Sequence, residues 1–246
     1  MAIPRIVHQL WKTASVPARW QDAVRSVQKY HKGWEYRLWT DALMDQHVRA
    51  QHPDFYPVFA SLNRHIMRVD LFRYILMSDF GGLYCDLDYE FLRPFDYYRG
   101  ADVWLSLEYD EAYGDDVNQI ANYLLASVPG HPFWQDALAG IQASPPFAAT
   151  PDDVCMLTGP RLVTRTYYRN PERYANVRLT PKPVFSPRRV HGRYERKFYL
   201  NTGVTFGFHH GWGSWRERVN LPHLRRRLAK LLRVKQPPKP APPALS

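Results

Sequence analysis

Cysteine is nearly absent from this chain, whose 246 residues include Cys85 and Cys155 and no other thiol. Two cysteines build no disulfide framework, so the fold must rest on its apolar core, and a reducing compartment is the default expectation. The sequence also lacks any uninterrupted apolar run of about 18 residues, the length a membrane-spanning helix requires. Its opening residues, Met-Ala-Ile-Pro-Arg-Ile-Val, carry no basic segment leading into an apolar one, the pattern of a secretory signal. A soluble protein is expected, cytoplasmic and at most peripheral on the inner face of the cell membrane. Acidic residues are also in deficit: 23 Asp and Glu against 33 Lys and Arg give a formal charge of +10. That balance favours an anionic partner, whether nucleic acid, a phospholipid surface or a phosphorylated small substrate, and does not choose among them.

What is present is a globular composition, 45% hydrophobic and 15% aromatic, long enough to bury a substantial core. Trp and Tyr offer faces that stack on sugars and bases. Residues 3–11 read as a first strand, with His8, Gln9 and Trp11 at its polar end, where an indole and an amide suit the wall of a base pocket. Residues 17–31 predict a helix, 34–39 a second strand, and Thr40 caps the helix that follows. This β-α-β rhythm implies a mostly parallel sheet flanked by helices. The stretch 52–62, with Pro53 and Pro57, reads as irregular. Over 63–78 the residues Ile66, Val69, Phe72 and Leu76 recur at helical spacing, with Asp70 and Arg73 three apart on one face.

That helix runs into Gly81-Gly82 and then Leu83-Tyr84-Cys85-Asp86-Leu87-Asp88. In extended chain Asp86 and Asp88 point the same way, roughly 7 Å apart along the backbone, within reach of one divalent cation. Carboxylate oxygens suit Mg²⁺ and Mn²⁺. Isolated Asp-x-Asp pairs also cap helices and close turns; here the pair lies where a strand leaves the core, at the strand end where open α/β sheets bind ligands. Further on, 102–107 reads as a strand, 118–126 as a helix containing Asn122, 133–141 and 161–168 as helices, 177–179 and 184–185 as short strands, and 188–197 as a basic mobile loop. His209-His210 follow a β-like run and are the best nitrogen ligands for an oxygen-dominated metal site. Leucines at 221, 224, 228, 231 and 232, interleaved with arginines, suit an interfacial helix on an anionic membrane over 221–235, or a last helix packed on the domain. The Pro-rich tail beyond is expected to be disordered. Two parts result: an α/β domain over 1–220, and a basic amphipathic helix with its tail over 221–246.

Taken in order, Ile3 to Trp11, Asp70 with Arg73-Tyr74, Gly81 to Asp88, Asn122 before Pro129-Gly130-His131-Pro132, Thr158-Gly159-Pro160, and His209-His210 with Ser214-Trp215 resemble one known family. It is that of the sugar transferases carrying the sugar-binding region with a DXD motif, which includes fungal initiating α-mannosyltransferases and bacterial capsule or surface-glycan enzymes. More distantly, the chain is similar to the glucosylating domain of the large clostridial toxins. The resemblance implies a GT-A type fold with a nucleotide-binding α/β sheet and retaining transfer from a UDP- or GDP-sugar donor to a glycan or lipid-linked acceptor, in capsular or surface polysaccharide synthesis, without nucleic acid. It implies that Asp88 holds Mn²⁺ or Mg²⁺, that Asp86 bridges metal, ribose and sugar, and that Asp70 and Arg73 grip the sugar. It further implies that Trp11 stacks on the base, with Gln9 and Asn122 lining the donor pocket, and that His209 or His210 meets the metal-diphosphate while Ser214 and Trp215 close over it. Gly211 departs from the family's usual aromatic after the second His, which leaves open which of the two histidines serves. The rival readings are a metal-dependent nuclease or phosphodiesterase, which normally gathers more metal-binding acids, and a non-catalytic glycan or membrane binder.

Overall fold

The computed structural model describes residues 2–213, and those up to Trp212 form one compact unit. Ser214, Trp215 and the 221–235 segment lie outside the described residues. The chain opens with β1 (Ile6–Leu10), α1 (Gln21–Tyr30), β2 (Glu35–Trp39) and α2 (Asp41–Gln51), followed by α3 (Tyr56–Ser61) and α4 (His65–Asp79). Next come β3 (Gly82–Cys85), β4 (Tyr89–Phe91), β5 (Val103–Tyr109) and β6 (Gln119–Ser127), then α5 (Pro132–Gln142), α6 (Pro151–Leu157) and α7 (Pro160–Arg169). It continues through β7 (Val177–Thr180), α8 (Lys182–Phe185), α9 (Arg196–Thr202) and β8 (Gly207–His209).

Six strands form the central sheet in the order β2-β1-β3-β6-β5-β7, and β4 pairs with β8 in a separate two-stranded sheet. β1 is parallel to β2 and β3, and β5 is parallel to β7, while β6 is antiparallel to both of its neighbours. The sheet is mostly parallel and flanked by helices, as expected. Its faces bury separate cores. Val7, Leu83, Trp104 and Leu124 pack on one side, and Leu10, Tyr84, Leu105 and Leu125 pack on the other with α4 and α5. This is the alternation a strand imposes on neighbouring residues.

Local chemistry explains several boundaries. Thr40 Oγ1 accepts the Leu43 amide at 3.2 Å to start α2, and Thr150 with Asp153 forms a reciprocal capping box on α6. Gly81 and Gly82 adopt positive φ, and a Cβ on either would stand 2.5 Å from the Ser127 carbonyl oxygen or 2.6 Å from that of Ile6. No side chain fits where α4 turns into β3.

Five expectations are corrected. Residues 118–126 form strand β6, not a helix; β6 is buried along almost its whole length, so neither face alternates toward polar and the run mimics a buried helix. Pro57 stands in the first turn of α3, where a missing amide costs nothing, so 52–62 is not wholly irregular. Helix α4 buries Met67, Leu71, Tyr74 and Ile75 as well as Phe72 and Leu76, while Ile66 and Val69 are only partly covered. It is sandwiched rather than lying with one stripe against the sheet. Residues 184–185 belong to α8, and the basic loop at 188–197 carries a Val190–Arg193 bridge and leads into α9.

Candidate active site

The acidic pair does not continue a strand. β3 ends at Cys85, the Tyr89 amide closes back on the Asp86 carbonyl at 3.0 Å, and Asp86 to Asp88 form a tight turn into β4. The two carboxylates nevertheless converge, because β8 brings a third residue to them: its register pairs Tyr89 with His209. His209 Nε2 lies 3.0 Å from Asp88 Oδ1 and 3.6 Å from Asp86 Oδ2. The other Asp88 oxygen accepts the Trp212 amide at 2.8 Å, and the Asp88 carbonyl accepts the His210 amide at 3.0 Å.

The two histidines separate at this point. His209 faces the acidic turn and stacks on Tyr123 with centroids 4.0 Å apart, whereas His210 Nε2 turns to Glu90 at 3.1 Å and its ring stacks on Trp212 at 4.5 Å. Alternation along β8 accounts for the split, since consecutive side chains leave opposite faces. Burial disfavours the charge on His209, but the hydrogen bond and charge of Asp88, with Asp86 and Glu108 beyond, raise its pKa above the usual value. Burial likewise opposes the charge on Asp88, and His209 and the Trp212 amide outweigh it to hold the carboxyl below the usual range.

Beneath the turn lies a buried network. Asp70 and Arg73 meet at 3.1 Å with side chains 4% and 3% exposed, and Arg73 NH1 continues to Asp86 Oδ1 at 3.2 Å and to the Asn122 carbonyl at 2.7 Å. Asp70 accepts from the Asn122 amide at 3.0 Å and from the Thr158 hydroxyl at 2.9 Å. Burial pushes the Asp70 carboxyl up to about 6, against the pull of Arg73 and Thr158. Tyr84 adds a hydroxyl donor to Asp86 Oδ1 at 2.7 Å, under the Arg73 guanidinium. Arg73 therefore contacts Asp86 directly, and Asp70 is linked to it through Arg73.

Gln9 is fully buried: its amide nitrogen donates to the Asp86 carbonyl at 3.2 Å and its amide oxygen accepts from Tyr36 at 2.8 Å. It holds the turn in place rather than offering free groups to a base. His8 is equally buried, on the opposite face, between Gly81 and Trp39. Trp11 is half-buried against Trp20 at 4.2 Å, and Trp20 lies 6.2 Å from Trp212. An aromatic edge thus borders the turn.

The structure brings together Asp70, Arg73, Asp86, Asp88, Asn122 and His209, with Gln9 behind them, and directs His210 away from the acidic pair. Sequence reasoning missed Tyr84 and Tyr123. The first was legible, standing two residues before Asp86 on the same side of an extended segment; the second was hidden by the helical reading of β6.

An α/β sheet with an acidic turn at the carboxyl end of its third strand is the architecture of GT-A type glycosyltransferases. Residues 17–109 match the family described as glycosyltransferase sugar-binding region containing DXD motif, which bears out the resemblance read from the sequence. The chain is 29% identical over 214 residues to inositol phosphoceramide mannosyltransferase 2 of Schizosaccharomyces pombe, covering 87% of this chain and 58% of that one. With mannosyl phosphorylinositol ceramide synthase SUR1 of Saccharomyces cerevisiae it shares 31% identity over 140 residues, 57% of this chain and 35% of the other. The chain thus spans 58% or less of the length of these relatives. Among solved structures, PaToxG glycosyltransferase superposes with a TM-score of 0.52 at 16% identity, covering 68% of this chain and 70% of that one, a likeness of fold.

Proposed function

We propose that this chain is a metal-dependent, retaining glycosyltransferase that moves a sugar from a nucleotide-sugar donor to a glycan or lipid-linked acceptor. The observation that carries the reading is the convergence of Asp86 Oδ2, Asp88 Oδ1 and His209 Nε2 at the carboxyl end of β3. Two carboxylates and one imidazole fit Mn²⁺ or Mg²⁺. The fit is supported by the division of Asp86, whose Oδ1 is held by Tyr84 and Arg73 while Oδ2 faces His209. A bound ion supplies neutralisation of the diphosphate leaving group.

The chain's own residues do the rest. Arg73, Tyr84 and Gln9 fix Asp86 and its turn, so that its charge needs no reorganisation as the glycosidic bond breaks. Tyr123 sets the plane of the His209 ring, and the Trp11 edge offers the base a stacking face. Mannose is the favoured sugar and a phosphorylated lipid headgroup the favoured acceptor, because the relative in Schizosaccharomyces pombe is an inositol phosphoceramide mannosyltransferase and the net charge of +10 suits such a surface. A product in capsular or surface polysaccharide is the alternative destination. We place the chain in the cytoplasm, peripheral on the inner face of the cell membrane, on the leucine and arginine pattern of 221–235. A nuclease is not favoured: among the described residues the acidic turn gathers two carboxylates and one histidine.

The test is donor hydrolysis across UDP- and GDP-sugars with Mn²⁺, with and without an inositol-phosphate lipid. One donor cleaved, GDP-mannose first, and cleavage abolished by EDTA is the expected result. Cleavage of no donor, together with cutting of nucleic acid, overturns the reading.

A further inference from the structure

The acidic turn is one of two places, among the described residues, where three metal-ligating side chains meet. The second is formed by His47, His52 and Asp79. His47 belongs to α2, and His52 caps its carboxyl end with φ −131° and ψ 55°. On a continuing helix, residues five apart would lie about 140° around the axis from one another; the break at His52 brings its ring back, with centroids 5.9 Å from that of His47. Asp79 ends α4 and reaches both rings. Its Oδ2 lies 2.7 Å from His47 Nε2 and 2.8 Å from His52 Nε2.

Three features separate this cluster from an ordinary surface ion pair. Both imidazoles aim the same nitrogen at one carboxylate oxygen, so the ligand atoms already form a compact triangle. The rings are seated: His47 packs edge-on to Trp39 at 5.4 Å and to Phe72 at 5.8 Å. The triangle also borders an open depression lined by Gln51 and Phe80, which leaves a further coordination position to water. The side chains of His47, His52 and Asp79 are 13%, 27% and 20% exposed, so a cation reaches them without unfolding.

We propose that His47, His52 and Asp79 form a second metal site, for a zinc-class divalent cation. Two imidazoles and one carboxylate are a donor set zinc favours, whereas the oxygen-richer acidic turn suits Mn²⁺ or Mg²⁺. Zinc–ligand bonds of about 2.0–2.2 Å place neighbouring ligand atoms somewhat over 3 Å apart, so the two edges from Asp79 to the histidines lengthen by less than about 1 Å to admit the ion. Each neutral imidazole then carries its proton on Nδ1. The site is distinct from the acidic turn. Asp79 precedes β3 and Asp86 follows it, with a four-residue strand spanning roughly 13 Å between them. The ion would tie the end of α2 to the end of α4, adding to the side-chain hydrogen bonds and the His47–Phe72 ring contact that already join them. The Gly81-Gly82 corner and the strand leading to Asp86 follow directly. Its role is therefore structural support of the corner from which the acidic turn is hung. The inference does not depend on the sugar-transfer reading.

The experiment uses the full chain carrying Asp88→Asn, stripped of metal and titrated with ZnCl₂ by calorimetry and thermal unfolding. One zinc per chain and a rise in Tm of roughly 5–10 °C at a hundredfold excess over Kd are expected. Adding His52→Gln should weaken zinc binding at least tenfold and remove the rise. Because the double variant could fold poorly, the Asp88→Asn chain is also loaded with Co²⁺, for which intense visible bands of tetrahedral geometry are expected. Equal zinc affinity with and without His52→Gln overturns the proposal. So does a Co²⁺ spectrum of the weak octahedral kind, or no zinc uptake while His52→Gln merely lowers Tm, which would mark the trio as a hydrogen-bonded staple.

Discussion

Arg73 reaches from the middle of α4 to Asp86, its NH1 3.2 Å from the carboxylate Oδ1, while its NH2 stays 3.1 Å from Asp70. One buried guanidinium thus ties a helix to the acidic turn. Burial opposes its charge, and Tyr84, Asp86 and Asp70 around it raise its pKa and keep it ionised. Arg73→Met leaves Asp70 as an uncompensated buried acid and should cost about 3–5 kcal/mol in urea unfolding. Arg73→Lys keeps the charge but cannot fork between two carboxylates and a carbonyl, so it should recover part of the stability and less of the activity.

The two histidines should behave differently. Asp88→Asn and His209→Ala should each lower donor hydrolysis by about 10²–10³-fold, the scale of removing one preorganised electrostatic group. The Mn²⁺ concentration giving half-maximal rate should rise in His209→Ala and stay unchanged in His210→Ala, because His210 points to Glu90. Steady-state kinetics across Mn²⁺ concentrations check both.

His8 gives the protein an acid-sensitive element in its core. Trp39 Nε1 can only donate, so His8 Nδ1 accepts at 3.1 Å and Nε2–H donates to the Gly81 carbonyl at 3.1 Å. The neutral ring is fully satisfied, and burial, with Arg37 nearby, lowers its pKa to about 4 from 6.5. The folded value lies below the unfolded one, so between them the unfolded chain binds more protons. The stability from His8 is complete above about pH 6.5 and drains away as pH falls toward 4, by roughly 3 kcal/mol. Urea unfolding at pH 7 and pH 5 should show a shallower pH slope for His8→Gln than for wild type.

The glycine corner should tolerate no side chain. Gly81→Ala and Gly82→Ala add a left-handed penalty and a contact under 3 Å with backbone oxygen, and each should cost more than about 2 kcal/mol. Gly130, also at positive φ but with nothing within 4 Å of its Cβ position, is the control: Gly130→Ala should cost only the conformational term, about 1–2 kcal/mol. Thermal unfolding of the three variants ranks them.

Much of the site was legible because short-range rules suffice for it. Spacing three apart on a helix paired Asp70 with Arg73, and the glycine pair marked a forced corner before Asp86. For the distant part it was the resemblance to a known family that tied the His209-His210 pair to the acidic turn, from 121 residues away. The less legible parts were those whose environment is symmetric. β6 is covered on both faces, so its sequence carries no period of two to distinguish it from a buried helix. With β6 taken as a helix, nothing placed Tyr123 against His209 or explained why the Asn122 carbonyl faces Arg73. The histidine cluster at His47, His52 and Asp79 was invisible for a different reason, since it needs the helix break at His52 and the end of α4 to coincide in space.

By itself, the sequence determined that a helix, a glycine corner, a short strand and an acidic pair follow one another, since each rests on the conformational limits of neighbouring residues. It also determined a helix-covered, mostly parallel sheet, through alternating strand and helix patterns. Tertiary structure alone decided that the acidic pair sits in a turn rather than a strand, that His209 and not His210 faces it, and that Asp70 and Arg73 lie beneath it. Those outcomes depend on which strand lies beside which. The pairing of β8 with β4, and of β6 with β3, is fixed by the packing of the whole core and has no counterpart in local spacing.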